Sequence, residues 1–239
     1  MADAEWRRIA GFRVVMSWPQ AAYAPPPATP VNLRARVAGM LGAVLLTAGA
    51  IALLVAAAAQ VHAPLPSLAA AGAIGPSGGR GPLHRSLPVA IDIPAIGVHS
   101  RLLHLGLSTR GTMQVPSLAT QAGQAAWYRY SATPGQLGAS VIEGHVDTYV
   151  GPAVFFRLGA LRPGNKVEVR LADGVTAVFR VTGVRLYAKT RYPAQTIYRA
   201  PGYPALRLVT CGGAFDYATR SYRSSVVVFA ALASSRPPG

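Results

Sequence analysis

The sequence predicts a mainly β domain of barrel or sandwich type, carried behind one transmembrane helix. Three observations predict it. Short apolar or alternating segments follow one another after residue 87, with turn residues roughly every ten positions. A run of 22 apolar or small residues at 38–59 precedes them. Hydrophobic residues make up 51% of the 239 and charged residues only 13%, too apolar for a disordered chain and more apolar than most soluble domains.

The elements follow in chain order. Residues 1–37 hold Pro25, Pro26, Pro27 and Pro30 among scattered arginines. Proline is excluded from helix interiors and central strands, so this stretch reads as a disordered tail. Residues 38–59 carry no charge, and Thr47 is their one hydroxyl. At about 1.5 Å per residue a helix of this length spans a bilayer core of roughly 30 Å. Arg34 and Arg36 lie just before it, and the next basic residue is Arg80. The positive-inside rule therefore places the N-terminus in the cytoplasm and everything after the helix outside the cell membrane. The run is longer than the apolar region of a signal peptide and starts late, which favours an uncleaved anchor. Residues 60–86, rich in Pro, Gly and Ala, read as a linker.

The domain expected at 87–233 is long enough for a real core, and 234–239 is a short tail. Residues 88–94 alternate, 101–107 are apolar, 112–115 form a short strand, and 140–145 make a brief apolar strand. Segments 166–171 and 177–181 alternate around Ala172, Asp173 and Gly174, the pattern of a hairpin that 184–186 would extend. Segments 206–211 and 225–232 are β-branched and buried in character. Short helices or turns are expected at 119–130 and 152–161.

Net charge is +15, from 23 basic and 8 acidic residues. The basic residues are scattered and lack interleaved aromatics, so no nucleic-acid face is expected. A basic surface toward an anionic wall or membrane fits better.

Cys211 is the single cysteine, so no intrachain disulfide is possible. Outside the cell an unpaired cysteine flags a reactive thiol; the bland alternative is a small buried hydrophobe. A thiol attacks carbonyls as thiolate, with a free pKa of about 8.5, and a histidine can take its proton. His145 ends an apolar strand beside Gly144, whereas His62 and His84 lie in the linker and His99 and His104 near the first strands. A purely structural histidine remains the other reading. Arg223 precedes the last apolar strand, where a fixed guanidinium fork would stabilise an oxyanion or lower the thiol pKa. Gly212 and Gly213 after the cysteine allow close backbone approach. One Cys and one isolated His are too few ligands for a zinc site.

Gly144, His145, Val146 and Asp147, followed by Gly151 through Phe156, resemble the histidine segment of actinobacterial sortases. Leu208, Val209, Thr210, Cys211, Gly212 and Gly213 resemble the sortase cysteine motif, and Tyr222, Arg223 and Val226 to Val228 its arginine strand. Ile93 to Val98, Gln114 to Pro116, and Pro134-Gly135 resemble further parts of the same domain. The form around Cys211, Phe215 and Asp216 is most similar to classes E and F, with class F preferred.

The resemblance implies an eight-stranded closed β-barrel with short helices. It implies cleavage of an LPxTG-like sorting signal between Thr and Gly through a Cys211 thioester. His145 would move the protons, Arg223 would hold the oxyanion, and Thr210 and Gly212 would shape the substrate pocket. The acceptor would be a peptidoglycan-precursor or pilin amine. No cofactor or metal is implied. Residues 187–204 fall where sortases carry a substrate-gripping loop. Two rivals stay open: another Cys/His acyl-transfer enzyme, such as an L,D-transpeptidase, and a non-enzymatic wall-binding module.

Overall fold

The computed structural model describes residues 62–75, 81–109 and 111–238. The expected tail and membrane anchor lie outside them, and no helix among the described residues is long and apolar enough to cross a membrane. The strands are β1 (Pro88–Ile93), β2 (Val98–Leu105), β3 (Ala125–Tyr128), β4 (Gly138–Glu143), β5 (Asp147–Thr148), β6 (Gly151–Pro152), β7 (Lys166–Leu171), β8 (Thr176–Ala188), β9 (Pro204–Asp216) and β10 (Ser221–Arg236). One short helix, α1 (Ala194–Tyr198), lies between β8 and β9.

Eight strands close into a barrel in the order β1-β2-β3-β4-β9-β10-β8-β7, while β5 and β6 form a separate ribbon. The β2/β3 and β4/β9 pairs are parallel; the remaining pairs are antiparallel. The expected hairpin is present: β7 and β8 pair from Lys166 opposite Arg180 to Arg170 opposite Thr176. Its turn uses Gly174 at φ +85°, and the Asp173 carboxylate accepts from the Val175 N–H at 3.1 Å.

Alternation along the strands divides the core. The inward face carries Ile91, Trp127, Ile142, Phe179, Leu208 and Val228 in one cluster. The outward face of β3, β4, β9 and β10 carries Tyr128, Val141, Val209, Val227 and Phe229, and these pack beneath Ile197 and Tyr198 of α1. The central strands are buried on both faces, so they read as unbroken apolar runs.

The structure departs from the sequence reading in four places. No strand forms at 112–115, where Met113 makes only an isolated bridge to Leu107. Residues 125–128 form strand β3, where a helix or turn was expected; Trp127 points inward and Tyr128 outward, and the strand is held by parallel pairing to β2. Strand β9 continues past Cys211 to Asp216, so the cysteine lies within a strand rather than at its end. Part of the stretch read as linker packs on the barrel: a 3-10 turn at Leu68–Ala71 buries Ala70, and Arg185 donates to the Gly72 carbonyl at 2.7 Å. Small Gly183 permits this approach, since a Cβ there would lie 2.7 Å from the Ala71 oxygen.

Candidate active site

The parallel register of β4 and β9 brings the expected pair together. Glu143 is opposite Val209, and the Gly144 N–H continues the pairing to the Val209 carbonyl at 3.2 Å. The register ends at Glu143, and the segment beyond it runs on alongside β9, where Val146 packs against Cys211. Val141 and Glu143 on β4, and Val209 and Cys211 on β9, share the outward parity of their strands, and His145 lies just beyond the end of β4. Gly144 is required here: a Cβ would lie 2.6 Å from Val154 and 2.9 Å from the Phe155 ring.

Cys211 is buried, packed with Val146 and Phe156, and Ala63 and Tyr222 close over this cluster. Burial pushes its thiol up to about 12; the Lys189 ammonium opposes this through its charge and a hydrogen bond to the thiol. Lys189 also donates to Ser221 Oγ at 2.9 Å. The His145 imidazole is lowered from its usual value by burial, against the opposing pull of the Pro116 carbonyl and Asp147. Its Nε2 lies 2.6 Å from the Pro116 oxygen. A carbonyl only accepts, so Nε2 carries the proton and the neutral ring keeps its basic lone pair on Nδ1. Both environments favour the uncharged forms at rest, a thiol beside a neutral imidazole.

Tyr222 ties the arginine strand to the histidine segment by donating to the Asp147 carboxylate. Arg223 itself sits at a register shift between Tyr222 and Ser224. Its side chain is 69% exposed and donates to Asp216 at 3.3 Å. The segments that carry His145 and Cys211 thus run alongside each other, while Arg223 faces solvent. Thr210 points to the opposite side from Cys211, and its hydroxyl donates to the Gly144 carbonyl at 2.8 Å, fastening β9 to β4. At Gly212 a Cβ would lie 2.8 Å from Val226, so the strand packs there only without a side chain.

Two residues that sequence reasoning missed lie in the same groove. Lys189 reaches Cys211 because β8, β10 and β9 run side by side: Tyr187 is opposite Ser225, and Ser225 is opposite Cys211. Glu143 is 1% exposed, both its carboxyl oxygens lack a hydrogen-bond partner, and burial raises it well above the usual carboxylate range. Among the described residues, no group of three or more His, Cys, Asp or Glu gathers that could hold a metal ion.

The sortase domain model matches residues 91–233, well over half of the chain. The chain belongs to the sortase family. It is therefore a sortase-type cysteine transpeptidase. No curated protein matches it. Among solved structures it is similar to a lid mutant of sortase A from Corynebacterium diphtheriae, at 22% identity and TM-score 0.46, covering 63% of this chain and 73% of that one. It is similar to sortase A from Listeria monocytogenes at 16% and 0.48, covering 63% and 89%. It is also similar to sortase C-1 from Actinomyces oris at 21% and 0.46, covering 61% and 72%.

Proposed function

We propose that this sortase cleaves an LPxTG-like sorting signal between Thr and Gly and passes the acyl group to an amine of a peptidoglycan precursor or pilin. The observation that supports this reading is the β4/β9 pairing, which runs to Glu143 opposite Val209 and leads the His145 segment along β9 toward the chain's one thiol.

Cys211 is the nucleophile. The His145 lone pair takes the thiol proton as Sγ attacks the Thr carbonyl carbon, and the resulting imidazolium returns a proton to the Gly nitrogen as the C–N bond breaks. A thioester remains on Cys211. The incoming amine adds to it and loses a proton to His145; the C–S bond breaks and the thiol re-forms. A thiol held near 12 needs help to ionise, and Lys189 supplies positive charge at the sulfur as it becomes negative. Arg223 holds the oxyanion after its guanidinium turns from Asp216 toward Cys211. Thr210 and Gly212 shape the pocket by holding β9 in place.

Residues 1–37 form a cytoplasmic tail, 38–59 an uncleaved anchor and 60–86 the connection to a catalytic domain at 87–233 on the outer membrane surface. The cysteine, histidine and arginine segments are most similar to class F.

The test is intact-mass spectrometry of the full chain in detergent with an LPxTG peptide, with and without a free amine. An acyl adduct on Cys211, converted to a peptide–amine product when amine is added, is expected. A folded protein with a titratable thiol and no adduct with LPxTG or LAxTG peptides would abandon this reading for the wall-binding one.

A further inference from the structure

Glu143 plays no part in the proton transfers above, yet its position is costly. A buried polar group with no partner loses about 1–3 kcal/mol, and an ionised one more. Glu143 lies one strand step from His145 and Cys211. On β4 it shares the outward face with Val141, which packs with Ile197 and Tyr198 of α1. Its neighbour across β3 is Ala126, whose small side chain leaves room.

Other unsatisfied groups collect on the same side. Ser225, opposite Cys211 on β10, is fully buried with its hydroxyl unpartnered. Tyr192 and Tyr198 face each other with ring centroids 6.3 Å apart, and neither buried hydroxyl completes a hydrogen bond of ordinary geometry. Groups left unsatisfied beside a nucleophile are what a site looks like before its ligand supplies the missing bonds.

We propose that Glu143, with the hydroxyls of Ser225, Tyr192 and Tyr198, forms a polar subsite beside Cys211 that binds a neutral hydrogen-bonding side chain of the sorting peptide, an amide or a hydroxyl. This rests on the transpeptidase reading above and narrows its substrate. A protonated carboxyl donates through one oxygen and accepts at the other, which matches an amide or hydroxyl. An ammonium would require Glu143 to ionise in a setting that resists charge. An extended peptide advances about 3.3 Å per residue, so the distance from Cys211 to the Glu143 row is about two residues. The side chain read by Glu143 therefore lies among the residues just before the x of the signal, in the Leu and Pro positions of LPxTG.

The experiment measures kcat/KM for Cys211 acylation by the full chain in detergent. The peptides carry Leu, Ala, Ser, Asn or Gln at each of those two positions. At one of them the wild type is expected to prefer Ser, Asn or Gln over Leu by about tenfold or more, because an aliphatic group leaves the buried polar groups unsatisfied. Glu143→Gln, which keeps a donor and an acceptor, retains that preference. Glu143→Leu reverses it and raises the melting temperature of the free protein, whereas a merely structural Glu143 would lower it on removal. A wild type that acylates freely but prefers Leu at both positions overturns this inference and leaves the transpeptidase reading standing. An unchanged preference in Glu143→Leu does the same. A wild type that acylates none of the peptides overturns both. The wild-type preference alone decides the matter if the Leu variant does not fold.

Discussion

The sheet of β4, β9 and β10 presents two faces with different chemistry. Inward, Ile142, Leu208 and Val228 line up across three strands and meet other apolar side chains of the barrel. Outward, and one residue along, Glu143, Cys211 and Ser225 share the surface with Val209 and Val227. Among the described residues, the buried side-chain atoms without a partner are Ser140 Oγ on the inward side and otherwise groups of Glu143, Tyr192, Tyr198, Arg207 and Ser225 on or over the outward side. The inner face is almost wholly apolar and supplies stability. The outer face tolerates unfavourable burial, and that is where a reacting group gains from exclusion of water.

Removing the proposed nucleophile is the largest outward effect. Cys211→Ala should abolish acyl-enzyme formation by mass while leaving the melting temperature within a few degrees, since the side chain is small and the strand pairing is backbone. The inward counterpart is Leu208→Ala, which should destabilise the fold by about 2–5 kcal/mol in chemical denaturation. The acylation rate of the molecules still folded should be unchanged. If Leu208→Ala altered the chemistry of the folded fraction, the division between the faces would fail.

A smaller effect comes from the charge at the sulfur. The thiol is raised to about 12, so alkylation of Cys211 by iodoacetamide should keep climbing from pH 8 to pH 11 without a plateau. Lys189→Met removes the opposing positive charge and should slow alkylation at pH 8 by up to about tenfold, one pKa unit being about 1.4 kcal/mol. The lowered His145 value predicts that the acid limb of peptide acylation falls below pH 6.5. Smallest is Tyr222→Phe, which removes one hydrogen bond to Asp147. It should cost about 1 kcal/mol, read as a fall of roughly fivefold in kcat/KM.

The fold class was legible because strands of period two and turn residues are local signals. Cys211 and His145 stood out as candidates because each sits in a short, distinctive run of neighbours. Lys189 was not: its approach to Cys211 depends on β8 lying beside β10, which in turn lies beside the β9 strand that holds Cys211, and this ordering is not local in sequence. Glu143 precedes the histidine by two residues and was visible as a residue, but not as buried, because a carboxylate in an apolar strand carries no sign of what covers it. Within 119–130, where a helix or turn was expected, turns do flank residues 125–128, but those four form a strand, unseen for a similar reason. Its Ala-rich run has weak strand propensity, and β3 exists through its pairing with β2 and β4.

The central claim is that the β4/β9 pairing leads His145 to Cys211, and a single substitution tests it without any substrate. Full-length His145→Cys holds two cysteines, which form a disulfide only if their Cα atoms lie within about 4.4–6.8 Å. Under mild oxidation, thiol titration of the folded variant should fall to zero, and the mass should show one intramolecular bridge. Two thiols still titratable after oxidation, in a protein that retains its cooperative unfolding, would contradict the register and the site built on it.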